Sequence, residues 1–430
     1  MGTYREKLHK LEQGDLDEVL AQFYCNEYNS EQGKDRLSQV LRGYGQAFDP
    51  EGMRDVWVFS SPGRTELGGN HTDHQRGHVL CASVDMDILA CAAPNGEDVI
   101  RLCSQGYPEI VVKLDALNAL REEEGTSAGL VRGIAARVCE LGYAVSGFDA
   151  CLISDVPAGS GLSSSAAFEV LVGTMINHFS CGGKLTAVEI AQIGQYAENH
   201  YFGKPCGLMD QMACAVGSIV AIDFSDPDRP RVERVEFDFV RSGHALCIVD
   251  TGSCHADLTG DYADITREMR EAAAFFGREY LSEVTKEQAL QSLSEMRKVC
   301  SDRAILRMLH FFEEDMRARE QAAVLADGDF DRFLELVNRS GLSSALNLQN
   351  IWSPASPGDQ AVSLALAVGR ELLGETGAIR VHGGGFAGTI QAFVPDEKLE
   401  GFKAGMEKVF GEGACRVTHI RPQGGCVVPV

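Results

Sequence analysis

The stretch Asp155–Val170, DVPAGSGLSSSAAFEV, decides which fold the 430-residue chain is expected to adopt. The small residues Gly159, Ser160 and Gly161 precede a serine cluster, and the apolar spacing from Ala167 to Phe179 predicts a helix directly after it. A helix N-terminus presents unpaired N–H groups and roughly half a positive charge, so a glycine-rich approach lets phosphate oxygens reach the backbone. The stretch therefore predicts a phosphate-binding loop. A flexible loop with an ordinary serine N-cap has a similar composition, and that alternative stays open.

The candidate phosphate contacts lie in this loop and in the first turn of the predicted helix. They are Gly159, Ser160, Gly161, Leu162, Ser163, Ser164, Ser165 and Ala166. The chain contains no GxxxxGK[ST] segment, so the loop is not a P-loop with its characteristic lysine.

Two further glycine-rich segments carry polar residues suited to ligand binding. Ser61–Gly77 (SPGRTELGGNHTDHQRG) follows an apparent strand and groups short donors and acceptors among glycines, as a polyol ligand requires. The same residue types are common in solvated turns, so the segment alone fits both interpretations. Arg380–Gln391 (RVHGGGFAGTIQ) predicts either a tight hairpin or a place where backbone amides close over phosphates or a sugar.

Composition limits the class of protein and its partners. Hydrophobic residues make up 44% of the chain and charged residues 23%, which is typical of globular proteins, and the length predicts two domains. The net charge of −23 repels nucleic acid and anionic membranes, so neither is an expected partner. A phosphate-bearing ligand must therefore find local positive potential from a few cations, a metal ion or backbone amides.

The thiols and the N-terminal segment predict a cytoplasmic protein. The fourteen cysteines lie in apolar contexts without CxxC spacing, which favours a reducing compartment over a disulfide framework or a structural zinc site. The N-terminal segment has no apolar core of a signal peptide, and the chain has no run of about 18 apolar residues.

The predicted elements change in character along the chain. Val56–Ser60, Val79–Ala93 and Phe148–Ser154 are β-rich, whereas the stretch from Gly260 to about Asn347 is mostly helical. The polar sequence SDPDRPR separates these halves. We therefore expect an N-terminal domain over residues 1–230 and a C-terminal domain over residues 231–430.

Together and in this order, the motifs resemble those of the GHMP kinase superfamily and, within it, of galactokinases. The galactokinase pattern PGRxNxIGEHxDY is matched by Pro62–His74, the phosphate loop by Gly159–Ala167, PCGxxDQ by Pro205–Gln211, and the closing glycine motif by Gly383–Gly388. The resemblance implies a two-domain α+β GHMP kinase fold with the active site in the cleft between the domains. It also implies ATP-dependent phosphorylation of the anomeric hydroxyl of galactose, with Mg²⁺ as cofactor.

The resemblance assigns roles to individual residues. Asp210 matches the aspartate that acts as base or orienting group beside the anomeric hydroxyl, and Arg64 matches the arginine next to it. Ser165 and Glu198 match the residues that hold Mg²⁺. The implied sugar contacts are Arg64, Asn70, His71, Asp73, Gly207, Asp210 and Tyr262.

Departures from the family pattern concern the sugar. The family has a glutamate at Asn70, an asparagine at Glu66 and a tyrosine at His74, and its glutamate contacts the 6-hydroxyl. A carboxylate about 4 Å from a substrate carboxylate would cost about 4 kcal/mol at an effective dielectric constant of 20, and Asn70 removes that penalty. Arg76 is either a counter-charge for such a substrate or a surface residue.

Two alternatives to galactose phosphorylation therefore stay open. One is phosphorylation of galacturonate or another C6-modified sugar. The other is a non-catalytic sensor of sugar and ATP, which the complete serine cluster and the presence of Asp210 disfavour.

Overall fold

The computed structural model describes residues 2–24, 27–157, 161–204, 206–226, 228–253 and 258–430. Gly159 and Ser160 of the predicted phosphate loop lie outside these ranges. No helix within the ranges is long and apolar enough to cross a membrane.

The helices are α1 (Tyr4–Gln13), α2 (Asp17–Tyr24), α3 (Glu27–Phe48), α4 (Ser127–Glu140), α5 (Ser164–Ser180), α6 (Ala187–Ala197), α7 (Met209–Val216), α8 (Thr259–Phe275), α9 (Lys286–Met296), α10 (Asp302–Ala326), α11 (Phe330–Ser343), α12 (Ala361–Leu373) and α13 (Leu399–Phe410). The strands are β1 (Trp57–Gly68), β2 (His78–Pro94), β3 (Val99–Ser104), β4 (Ile110–Lys113), β5 (Phe148–Ser154), β6 (Ile219–Asp223), β7 (Arg231–Val235), β8 (His244–Asp250), β9 (Ala378–Val381), β10 (Thr389–Pro395), β11 (Cys415–Thr418) and β12 (Cys426–Val428).

The strands form two sheets. In the first, the order is β12-β1-β2-β5-β3-β4, and the β6–β7 hairpin extends it by pairing β6 with β2. The second has the order β11-β8-β10-β9. Every described pairing is antiparallel except that of β3 with β5. The α+β architecture expected from the sequence is confirmed.

The first sheet is covered on both faces. Phe59 packs into a core shared with α4–α7, whereas its neighbour Val58 packs with Leu41 and Tyr44 of α3. Adjacent residues reach opposite cores because side chains alternate across a strand. The predicted helix after the serine cluster is α5, and α6 begins with a capping box formed by Thr186 and Glu189.

Strand β1 is longer than the sequence predicted. The apolar run suggested an end at Ser60, but pairing with β2 continues to Gly68 through register shifts at Pro62/Arg64 and at Glu66/Gly68. Arg64 and Glu66 therefore lie on a strand. Where the pairing is irregular, apolar and polar side chains need not alternate along the strand. The sequence pattern therefore gave no sign that β1 continues beyond Ser60.

The division between residues 230 and 231 stays a prediction. By strand pairing, β7 and β12 both belong to the first sheet, because β7 pairs with β6 and β12 pairs with β1. The second sheet packs with α12 and α13, and helices α8–α10 contribute a separate core.

A buried cluster of charged side chains links α3 to the first sheet. Asp87 on β2 receives Arg36 Nη1 from α3 at 2.5 Å and Arg421 Nη1 at 3.0 Å, and the side chains of Asp87 and Arg421 are fully buried. Burial would raise the pKa of the Asp87 carboxyl, but the two arginines hold it below its ordinary value. The cluster therefore stabilises the fold at pH values above the ordinary pKa of an aspartate. This stabilisation is lost as the pH falls through the lowered pKa of Asp87.

We expect Asp87→Asn to lower the free energy of unfolding by about 3–5 kcal/mol, because it removes the carboxylate paired with the buried Arg421 and leaves Arg36 paired with Asp155. Urea unfolding at neutral and acidic pH measures this effect, and the difference from wild type should shrink in acid. Asp115→Asn, at an exposed position, is the control and should stay within about 0.5 kcal/mol. Equal losses in the two variants would contradict a special role for Asp87.

Candidate active site

An arginine, an aspartate and a serine from three elements meet beside the predicted phosphate loop. Arg64 on β1 binds Asp210 on α7 in a bidentate pair, with Nε–Oδ1 at 2.7 Å and Nη2–Oδ2 at 2.8 Å. Arg64 Nη1 also donates to the carbonyl oxygen of Gly161, and Ser163 Oγ donates to Asp210 Oδ2. The structure thus joins the two predicted catalytic residues directly to the phosphate loop.

The electrostatics of this cluster keep Asp210 ionised. Burial would raise the pKa of its carboxyl, but the Arg64 charge and the hydrogen bonds from Arg64 and Ser163 bring that pKa below its ordinary value. Such a carboxylate is a weak proton acceptor. The geometry favours orientation of a hydroxyl by Asp210 over early removal of its proton.

Among the described residues, no side chain caps the N-terminus of α5. Ser163 is the residue before the helix, yet its hydroxyl bonds Asp210 and makes no cap hydrogen bond. Its φ of 57° lies in the left-handed region, which costs a non-glycine residue about 1–3 kcal/mol and is typical of functional sites. The first N–H groups of α5 are therefore available to an anion.

The other predicted phosphate contacts divide by burial. Ser164 and Ser165 are half-buried at the start of α5, whereas the side chains of Leu162 and Ala166 are buried in the core of the first sheet. Leu162 accepts a hydrogen bond from the Arg64 backbone N–H through its carbonyl at 3.0 Å. Any phosphate contact of Leu162 and Ala166 must therefore come from their backbone.

Asp73 and Gly207 lie against each other near Asp210. A β-carbon on Gly207 would come within 1.8 Å of Asp73 Oδ2, so a larger residue would displace the carboxylate. Asp73 Oδ1 accepts the backbone N–H of His74 at 2.8 Å. Burial raises the pKa of Asp73 to about 6, and the Asp210 charge adds to that shift.

Three residues that are predicted to contact the sugar also bind carbonyl groups of the three glycines 383–385. Asn70 Nδ2 donates to the carbonyl oxygen of the first glycine at 2.7 Å, and His71 Nε2 lies 2.9 Å from that of the second. Tyr262 donates to that of the third at 3.1 Å. A β-carbon on Gly384 would lie 2.4 Å from the Tyr262 ring, which explains the glycine there. The closing motif is thus fixed through its carbonyl groups.

Asn70 and Glu66 are in contact. Asn70 Nδ2 lies 3.1 Å from Glu66 Oε1, and both side chains are almost completely buried. Asn70 Oδ1 accepts Asn350 Nδ2 at 2.9 Å, and Glu66 pairs with Arg380 at 2.5 Å. The family has the amide at position 66 and the carboxylate at position 70, whereas this chain has them the other way round. Because the two positions are in contact, the two departures amount to one exchange. The hydrogen-bonding groups of the Asn70 amide are already used, so its predicted contact with C6 stays a prediction.

Of two neighbouring polar residues, His74 is uncharged and Arg76 contacts an aromatic ring. Burial lowers the pKa of His74 to about 3, so this histidine is neutral near physiological pH. The guanidinium carbon of Arg76 lies 3.9 Å from the centre of the Tyr280 ring, an arrangement typical of a cation–π contact.

Glu198, the predicted metal ligand, lies directly after α6 and is almost completely buried. Its Oε2 accepts Gln211 Nε2 at 2.9 Å, and Lys204 Nζ lies 3.7 Å from its Oε1. No group of three or more His, Cys, Asp or Glu side chains in the described ranges forms a ready metal centre. A hydroxyl from Ser165 and a carboxylate from Glu198 nevertheless suit Mg²⁺, which takes one or two carboxylates together with phosphate oxygens.

Supporting residues that the sequence motifs did not indicate lie beneath the loop. His382 lies 3.0 Å from Thr65 Oγ1 through Nε2 and 2.9 Å from Thr389 Oγ1 through Nδ1. A β-carbon on Gly161 would come within 2.7 Å of Thr389 Oγ1, so this set underlies the phosphate loop. The position of His382 directly before the glycine run was the available signal.

Comparison with known proteins agrees with this geometry. The family model described as GHMP kinases N terminal domain matches residues 129–218, and the galactokinase galactose-binding signature matches residues 43–94. The signature includes β1 and the polar segment after it.

Two curated relatives are galactokinases. That of Actinobacillus pleuropneumoniae is 31% identical over 79% of this chain and 85% of its own length. That of Clostridium tetani is 28% identical over 85% of this chain and 90% of its own length.

Solved structures show the same fold. Lactococcus lactis galactokinase complexed with galactose matches with a TM-score of 0.76 at 24% identity, over 89% of this chain and 97% of that chain. Methanococcus jannaschii mevalonate kinase matches with a TM-score of 0.60 at 16% identity, over 86% of this chain and 99% of that chain. Because the sequence similarity to a curated relative reaches 31% and extends over most of both chains, the chain belongs to the galactokinase family of GHMP kinases.

Proposed function

We propose that this protein transfers the γ-phosphoryl group of ATP to the anomeric hydroxyl of galactose, with Mg²⁺ bound to the nucleotide. Family membership makes the chain an ATP-dependent sugar kinase. The observation that carries the proposal is the cluster of Arg64, Asp210 and Ser163, which joins a hydroxyl-orienting carboxylate to the start of α5.

The chemistry follows from positioning and charge. Asp210 accepts a hydrogen bond from the attacking hydroxyl and so aims its oxygen at the γ-phosphorus, while Arg64 balances the charge on that carboxylate. As the new O–P bond forms, the bond to the β–γ bridging oxygen breaks and ADP leaves, while the hydroxyl proton passes late in the step to Asp210 and from there to water. Phosphoryl transfer needs little more than alignment and neutralisation of the phosphate oxygens.

The phosphate groups find positive potential from the chain itself. The N–H groups at the start of α5 and the hydroxyls of Ser164 and Ser165 are the expected donors. Ser165 and Glu198 would hold Mg²⁺, which supplies neutralisation of phosphate charge when bound. The net charge of −23 makes these local contributions necessary.

The sugar is expected between the two halves of the site. Asp73 and Gly207 lie on the side of Asp210, and His71 and Tyr262 lie on the side of the glycine run 383–385. The ring centres of His71 and Tyr262 are 6.3 Å apart. Short polar side chains beside aromatic rings are the lining that polyol ligands use.

A C6-modified sugar such as galacturonate is the second candidate, and the neutral amide at Asn70 is the observation that favours it. Glu66 keeps a carboxylate in the same buried network, however, and Arg380 balances it. Galactose therefore remains the preferred substrate. Release of ADP measured with galactose, galacturonate, N-acetylgalactosamine and glucose tests the proposal, and a protein that binds sugar and ATP without ADP release would be a sensor.

Asp210→Asn should lower kcat by about 10²–10⁴-fold, because an amide cannot accept the hydroxyl proton and orients the hydroxyl more weakly. Affinity for the nucleotide should change little, since Asp210 is expected to face the sugar. Steady-state kinetics and equilibrium binding of ATP measure the two effects, with Asp115→Asn as control. Near-normal turnover would remove Asp210 from the mechanism.

Glu198→Gln should raise the Mg²⁺ concentration needed for half-maximal activity, because a hard cation loses a charged oxygen ligand. The measurement is a Mg²⁺ titration of initial rate at saturating ATP and sugar. Glu189→Gln, which keeps a side chain able to close the α6 capping box, is the control on the same helix. An unchanged titration would mean that the cation is held elsewhere.

Asn70→Glu should lower Tm, because it places a second carboxylate against Glu66 in a buried site, at a cost of about 4 kcal/mol for charges about 4 Å apart. The double variant Glu66→Asn/Asn70→Glu restores the family arrangement and should recover stability. It should also hold or gain kcat/KM for galactose and lose it for galacturonate. If the double variant is no more stable than Asn70→Glu, the two positions are not coupled.

A further inference from the structure

Two buried glutamates share one amide group beneath the phosphate loop. Gln211 Nε2 lies 2.9 Å from Glu169 Oε2 and 2.9 Å from Glu198 Oε2. Glu169 is completely buried, and Glu198 and Gln211 are almost so. The amide therefore sets the spacing between two carboxylates that come from different helices.

Glu169 stands on the same face of α5 as Ser165, because the two residues are one turn apart. A β-carbon on Gly194 of α6 would lie 3.1 Å from Glu169 Oε2, so the helices pack closely here. Glu169 Oε1 and Gln211 Oε1 are buried and have no hydrogen-bond partner in the described part of the chain. Buried oxygens of this kind cost free energy unless a ligand, an ion or water satisfies them.

The charge around these two acids is unusual for this protein. The other buried glutamates of the described ranges each pair with arginine, namely Glu66 with Arg380, Glu268 with Arg303 and Arg307, and Glu314 with Arg317. Among the residues that the structure describes, Glu169 has no ion pair, and the ion-pair partner of Glu198 is Lys204, whose side chain is 60% exposed. This pair is therefore short of positive charge.

We propose that Glu169 is a further residue of the cation site, acting beside Ser165 and Glu198, and that Gln211 is the positioning residue that spaces the two carboxylates. The proposal rests on the proposed function, which places a divalent cation at Ser165 and Glu198. Carboxylate oxygens are the ligands that a hard cation prefers, and Glu169 Oε1 is free to accept a hydrogen bond from a cation-bound water. Partners of this kind fix metal affinity through the ligands they orient.

The decisive variant is Glu169→Gln, which keeps the shape of the side chain and removes its charge. We expect the Kd for Mg²⁺ at saturating ADP to rise by about tenfold or more, as for other residues that support a metal site. The rise in Tm that Mg²⁺ and ADP produce together should shrink, and the Tm measured in chelator should hold or increase because a buried acid pair is relieved. Calorimetric titration and thermal unfolding give both readouts without any turnover.

Glu268→Gln is the matched control, because Glu268 is an equally buried glutamate that has arginine partners. It should lower Tm with and without Mg²⁺ by the same amount and leave the Kd for Mg²⁺ unchanged. Glu169→Asp, which keeps a carboxylate, should retain more Mg²⁺ affinity than Glu169→Gln. Gln211→Met should weaken Mg²⁺ binding as Glu169→Gln does, because it removes the amide but keeps the length of the side chain.

The outcomes separate this inference from the proposed function. If wild type and Glu169→Gln bind Mg²⁺ with equal Kd, and Mg²⁺ with ADP raises their Tm equally, the role of Glu169 is structural. That result overturns the inference, while the kinase assignment stands. If wild type itself gains nothing from Mg²⁺ in the presence of ADP, the cation site as a whole is overturned.

Discussion

The ion pair of Arg64 and Asp210 is the constraint on which the rest of the site depends. The Arg64 side chain is buried and is bound by two parallel hydrogen bonds to Asp210, whose side chain is 34% exposed, so loss of the carboxylate would leave a buried cation without this partner. Strand β1 and helix α7 are therefore held in register. Because Arg64 also binds the carbonyl oxygen of Gly161, the predicted phosphate loop is held by the same arginine that pairs with Asp210, the residue proposed to orient the attacking hydroxyl.

An acidic protein that binds a nucleotide needs its negative charges balanced locally around the binding site. The chain carries a net charge of −23, yet most of its buried acids lie beside arginine, as Asp87, Glu66 and Glu314 show. The uncapped start of α5 adds positive potential from the backbone without any side chain. Under the proposed function, the incoming cation completes this balance beside Glu169 and Glu198, whose carboxylates share the Gln211 amide.

The sequence predicted the fold because the family is recognisable from short, ordered motifs, and the same motifs supplied the proposed site residues, whose roles stay predictions. Asp210, Arg64 and Ser163 lie in three such motifs, and the structure brings them within hydrogen-bonding distance. The contact between Glu66 and Asn70 could not be predicted, since each departure was visible alone but their adjacency depends on the bulged end of β1. The spacing of Glu169 and Gln211 depends in the same way on how α5, α6 and α7 pack.

The return of the chain to its first sheet has a consequence for folding. Strand β12 forms an edge of that sheet by pairing Val428 with Val58, and the nearby Arg421 completes the ion cluster at Asp87. Contacts between residues so far apart in sequence form late, because the entropy of closing the intervening loop must be overcome first. During synthesis the first sheet keeps an open edge beside β1 until residue 428 has left the ribosome, and over that interval the edge is exposed to chaperones and to pairing with other chains.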